Sequence, residues 1–174
     1  VSGAGALSLT GGTMTGNLLV SGTVNFGSSV TRINEVFATT FNGTASAAQY
    51  ADVAENFTSD AKYAPGTVVA LGGVEEITRV NDELASNVFG VISTRPAYLM
   101  NAALDTGTAV AVAGRVPVKV VGKVNKGDRL VSAGNGLARA ADENEATSFN
   151  VIGRAISTKS TESEGTVEAF VTIN

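Results

Sequence analysis

Serine hydroxyls and carboxylates are the side chains of this sequence that could take part in chemistry. The 174-residue chain contains no His, no Cys and no Trp. Without His, the commonest general base and transition-metal ligand is missing. Without Cys there is neither a disulfide nor a thiolate. A serine nucleophile would then need Lys as its activating base. Ser93, Ser157, Lys159 and Ser160 come near one another in sequence or through internal repetition, yet no S-x-x-K placement with supporting partners emerges. Carboxylates gather at Glu75-Glu76, at Asp142, Glu143 and Glu145, and at Glu162 and Glu164. Each group lies in a polar, turn-like stretch that reads as solvated surface. Asp142-Glu143-Asn144-Glu145 lacks the glycine and the alternating oxygen ligands of a calcium loop. Leu71-Gly72-Gly73 lacks the Lys-Ser/Thr of a phosphate loop. The expectation is a protein that is not an enzyme and uses no metal and no cofactor.

Contact residues are easier to nominate. Between Thr94 and Leu104 stand Arg95, Tyr98, Met100 and Asn101, groups suited to contact with a receptor or another protomer. The segment is expected to form one short helix, with Pro96 in its first turn. The competing reading places Tyr98, Leu99 and Met100 in a core.

The elements that must position these residues are β-strands. Gly107–Val121, GTAVAVAGRVPVKVV, alternates Val with small or polar residues and predicts a strand pair turning at Ala113-Gly114. Pro117 predicts an edge position or a bulge in the second strand. Three motifs then recur in the same order. Pro65-Gly66-Thr67-Val68-Val69 has a counterpart at Lys126-Gly127-Asp128-Arg129-Leu130, Asn87-Val88-Phe89-Gly90-Val91 at Asn150-Val151-Ile152-Gly153-Arg154, and Gly107-Thr108-Ala109 at Gly165-Thr166-Val167. Chance rarely preserves order and spacing together, so residues 58–174 read as an internally duplicated β head, with copies at about 58–121 and 122–174. Further strands are expected at 66–71, 77–80, 88–93, 129–133, 137–140, 151–157 and 166–173. Asn135-Gly136 is the strongest hairpin signal, since both residues tolerate a positive φ.

Residues 1–43 are Gly/Thr-rich, with apolar positions too far apart to enclose a core. Leu18-Leu19-Val20 and Thr23-Val24-Asn25-Phe26 predict two short strands around Ser21-Gly22. So small a segment gains little stability from its own core. Association with other copies, burying Leu18, Val20, Val24 and Phe26 in an intertwined stalk, is the expected remedy. Residues 44–57 read as a neck with a short helix, because Tyr50, Val53, Ala54 and Phe57 fall on one helical face behind a Thr44 cap. Tyr50, Val53 and Phe57 would join the same inter-protomer core. The chain begins at Val1 without Met, which fits a fragment or a processed product.

Charge narrows the partners. A net charge of −4 argues against a nucleic-acid binder, which needs a cationic face. No apolar run approaches the length of a membrane span. With only 16% charged residues and much Val, Thr, Ala and Gly, the composition suits a rigid β assembly.

One stretch carries a family resemblance. Leu9-Thr10-Gly11-Gly12-Thr13-Met14-Thr15-Gly16-Asn17-Leu18 resembles the L-T-G-G-x-M-T-G-x-[IL] repeat of bacteriophage tail fibres. That resemblance implies a homotrimer in the virion, assembled in the host cytoplasm, with other tail or virion proteins and a host surface polysaccharide or protein as partners. It also implies a thin shaft leading into a C-terminal head. The turn pattern of the head is similar to that of phage head-fibre and capsid-decorating proteins, whose arm would clasp a shell. Tyr50-Ala51-Asp52-Val53-Ala54-Glu55 resembles the junction Y-A-[DE]-x-A-E that precedes C-terminal domains of some fibres, including self-cleaving intramolecular chaperones. The expected architecture is therefore mainly β and trimeric: a thin intertwined N-terminal stalk, then a duplicated β-sandwich or barrel head.

Overall fold

A computed structural model of the chain describes residues 13, 15–28, 30–31, 33–40, 42 and 51–172. They divide into two units, residues 1–44 and residues 45–174.

The described residues of the first unit form no strand and no helix. The two strands expected around Ser21-Gly22 are not made, although Gly22 takes the positive φ of a turn (79°). A strand is stable only when its N–H and C=O groups find a partner, and this stretch offers itself none. Leu18, Val20, Val24 and Phe26 are all exposed, together with Leu19, Val30, Ile33, Val36 and Phe37. Residues 9–12, Met14 and Tyr50, which carry part of the expected shaft repeat and neck, lie outside the described residues.

In the second unit the alternating Val and Thr pattern yields ten strands: β1 (Asp52–Phe57), β2 (Val68–Leu71), β3 (Ile77–Arg79), β4 (Val88–Ile92), β5 (Tyr98–Met100), β6 (Thr108–Val120), β7 (Arg129–Gly134), β8 (Leu137–Ala140), β9 (Val151–Ala155) and β10 (Gly165–Thr172). This unit is mainly β, and its sheet closes on itself. From β6 the ladder runs antiparallel through β10, β9, β7 and β8, and β8 returns to β6 through a parallel bridge at Val120 and Ala138. Closure leaves this ring without free edges.

The same circuit is drawn a second time from the other end of β6. It passes antiparallel through β4, β2 and β3, returns to the chain beyond β1 by a parallel bridge at Ser59 and Ile77, and closes through the β1–β6 ladder. The correspondence extends to register. Val69 faces Gly90 beside a bulge, as Leu130 faces Gly153 beside a bulge. Gly66 N–H donates to Ile92 O at 2.8 Å, and Gly127 N–H to Ala155 O at 2.8 Å. Each ring is thus β1, β2, β3, β4 and the first half of β6, or the second half of β6, β7, β8, β9 and β10. The 13-residue β6 is the last strand of one ring and the first of the next.

The cores match as the ladders do. Val69, Ile77, Ile92 and Val110 fill the first ring, with Phe57, Tyr63 and Phe89 against them. Leu130, Ala138, Ala155 and Ala169 hold the corresponding places in the second and join a larger cluster. That cluster also contains Val68, Val91 and Ala111, so it spans the seam between the rings. Backbone bonds cross the seam as well: Val68 N–H donates to Gly136 O (2.9 Å) and Gly136 N–H to Val80 O (2.7 Å). Asn135 and Gly136 both take positive φ, 53° and 73°, as the hairpin signal required.

Four local expectations are corrected. Ala113-Gly114 is not a turn, because β6 runs straight through it. Gly114 instead permits a close approach at a φ of 106°, where a Cβ would lie 2.8 Å from the Asp52 Cα. Pro117 sits in a central strand rather than at an edge. The N–H groups of Arg115, Lys119 and Val121 donate to Ala51, Gly66 and Ala138; Pro117 shares their phase, so its missing donor falls between ladder partners. Residues 52–57 are strand β1, not a neck helix. Residues 98–100 are strand β5, not a helix, and pair in parallel with β1.

Candidate functional site

The nominated residues Arg95, Tyr98, Met100 and Asn101 gather along β5. The expected helix gives way here because β1 offers an open row of backbone partners. Ala97 N–H donates to Asp52 O at 2.8 Å and starts the pairing. Val53, Ala54 and Glu55 then face Tyr98, Leu99 and Met100. Asn101 closes it: its amide donates to Asn56 O at 2.9 Å, while the Asn56 amide donates to Asn101 O at 3.3 Å. Asn101 takes a φ of 51° to make that exchange, a conformation asparagine tolerates better than most residues.

Asn101 is therefore a structural clamp, although its position is exposed. Tyr98 is 65% exposed and sits beside the partly exposed Val53, making an apolar spot at the edge of the sheet. Met100 is half-buried and Arg95 is exposed. On its far side β5 pairs with no other strand among the described residues. The edge therefore keeps a row of backbone N–H and C=O groups without a strand partner among the described residues, with an exposed aromatic side chain beside it.

Val53 and Phe57, expected in an inter-protomer core, both belong to β1. Phe57 packs edge-on against Phe89 within the same chain, ring centroids 5.2 Å apart. Beneath the edge lies a pair that sequence reasoning did not nominate. The Ser93 hydroxyl donates to the buried Asp52 carboxylate at 2.6 Å. The hydroxyl of Ser93 thus serves a carboxylate and not a lysine.

Lys159 and Glu145, two of the other groups with possible chemistry, are held in structural contacts. The Lys159 ammonium donates to the carbonyls of Gly122 (2.9 Å), Thr161 (2.7 Å) and Ser163. That cage ties the ammonium to three backbone carbonyls of the loop at residues 159–163 and its neighbour Gly122. The acidic loop at Asp142–Ser148 is more ordered than a solvated surface requires. Arg139 holds Glu145 bidentately at 2.7 and 3.0 Å and reaches Glu83 at 2.8 Å. Hydrogen bonds from Arg139 and from the Asp142 N–H hold the Glu145 carboxyl below the usual carboxylate range. Pairing with Glu145 and Glu83 raises Arg139 further still, against the cost of its partial burial. Asp60 is lowered likewise, by hydroxyl donors from Tyr63 (2.5 Å) and Thr78 (2.7 Å).

Among the described residues no helix is long and apolar enough to cross a membrane. No family model matches the chain, and no curated protein matches it.

Proposed function

We propose that the chain is the C-terminal part of a homotrimeric bacteriophage tail fibre, a structural protein of the virion. Residues 1–43 form the shaft and the duplicated barrel forms the head. The β5 edge, with Tyr98, Val53 and Arg95, contacts a neighbouring protomer or a host surface polysaccharide or protein. One observation carries the reading. Nine large apolar side chains between Leu18 and Phe37 are at least 47% exposed in a segment without a strand or helix among its described residues. So much apolar surface in one short segment is far from ordinary for a solitary chain. Winding three copies together buries it and supplies strand partners at once.

The phage-fibre resemblance at Leu9–Leu18 supplies the identity of that assembly. Replacing Leu19, Val30 and Phe37 together by Ser tests it. The full chain with these substitutions should dissociate to protomers while the circular dichroism of the head stays unchanged. An oligomer that survives the triple substitution rules out the N-terminal segment as the assembling element.

A further inference from the structure

The two rings differ at one matched row of residues, and the difference points to a ligand. In the first ring Val68 faces Val91 and Val91 faces Ala111 across adjacent strands. All three have no solvent exposure, because this face packs against the second ring. The corresponding row in the second ring is Arg129, Arg154, Phe170 and Arg115. Arg129 faces Arg154, Arg154 faces Phe170 and Phe170 faces Arg115, so β7, β9, β10 and β6 each contribute one side chain. Residues directly opposite in a ladder project from the same face of the sheet. Every member of this row is exposed, and Phe170 is 53% exposed.

Such a row opposes stability. Like charges opposite one another, as at Arg129 and Arg154, repel. None of the three arginines is in an ion pair among the described residues. Arg154 donates one N–H to Gly127 O at 3.0 Å, which steadies the side chain and leaves its other donors open. Asp142 and Glu143 line the cleft next to Arg129 and Arg154. Asp128 lines it too, and the exposed Glu168 lies two positions from Phe170 on the same face, diagonal to Arg115 and Arg154, so the arginines of the row stand beside carboxylates rather than in a purely cationic field. The row lies on a chain whose net charge is −4.

We propose that Arg154, Phe170 and Arg115 form a binding site for a ring that carries an oxyanion. The guanidinium forks hold the carboxylate or phosphate, and the exposed Phe170 ring stacks on the ligand ring. An acidic sugar and a nucleotide both have that chemistry. The proposal rests on the head alone and stands whether or not the N-terminal segment assembles trimers.

Calorimetric titration of the full chain with a glucuronate disaccharide, with adenosine monophosphate and with inorganic phosphate, at matched ionic strength, tests it. At least one ring ligand should bind more tightly than inorganic phosphate, and which one binds separates the two sources. Arg115→Gln and Arg154→Gln should each weaken that binding roughly tenfold, as loss of a charge-assisted contact does. Phe170→Ala should weaken it roughly fivefold while leaving phosphate unaffected. Lys123→Gln, at a surface pair with Glu162, is the control and should change nothing. All four positions are exposed, so every variant is expected to stay folded, which thermal unfolding checks alongside. Absence of binding at millimolar ligand overturns the proposal. So does binding no tighter than that of phosphate, or binding that the arginine variants leave intact.

Discussion

Substituting Gly90 and Gly153 by Ala, one at a time, probes whether the two rings are built alike. Neither glycine needs a positive φ, so the added methyl is the whole perturbation. At Gly90 a Cβ would stand 2.5 Å from Val110 Cγ1 and 2.7 Å from Ala111 O. At Gly153 it would stand 2.9 Å from Val171 Cα and closer still to Phe170 O. Both obstacles include backbone of the next strand, which cannot rotate aside. Overpacking of this kind costs about 1–3 kcal/mol. Removing a glycine also restricts the unfolded chain, which returns about 0.4–1 kcal/mol. The net loss should be roughly 1.3 kcal/mol at each site, from the midpoints of those ranges. Urea unfolding followed by circular dichroism, at fixed protein concentration, measures it. Two variants as stable as the parent, or a loss at one glycine only, would refute the reasoning.

Two further outcomes follow from particular contacts. Asp60 and Glu145 both titrate below their ordinary values of 3.8 and 4.5 in the folded chain. Groups lowered by folding stabilise the protein above their unfolded values, and that stabilisation disappears as pH falls through the folded ones. The melting temperature should therefore drop below about pH 4, with Asp60→Asn and Glu145→Gln each flattening the drop; a pH-independent melt in that range would count against both clusters. A double-mutant cycle on Phe57 and Phe89, each changed to Leu, should return a coupling of about 0.5–1.5 kcal/mol from their edge-on contact. Additive losses would show that the rings do not interact.

What the sequence made legible was the part of the fold that hydropathy encodes. The β7–β8 hairpin could be read because Asn135-Gly136 leaves few alternatives to a tight turn. The paired motifs around Gly66 and Gly90 could be read because matched hydrogen bonds and bulges recur at Gly127 and Gly153. Strand β1 escaped because its buried positions are Asp52, Ala54 and Asn56 while Val53 is partly exposed. Burial there depends on hydrogen bonds to Ser93 and Asn101, partners no local pattern can reveal. Extending the duplication upstream would have found β1, since it stands in the first ring where the second half of β6 stands in the second. The β5 segment misled for a related reason: edge bonding to β1 outweighs the helix start that Pro96 suggests. Arg115, Arg129, Arg154 and Phe170 come from four separate strands, and register alone brings them into a row. Charge counting over the whole chain could not separate that row from an acidic background.

The central claim is that the N-terminal segment assembles three chains. Light scattering on residues 1–174 beside residues 51–174 tests it most directly. The predicted result is a full chain at three times its 17.6 kDa and a head fragment below trimer mass. A full chain that stays at 17.6 kDa would contradict it, since the exposed side chains from Leu18 to Phe37 would then have no partner to bury them.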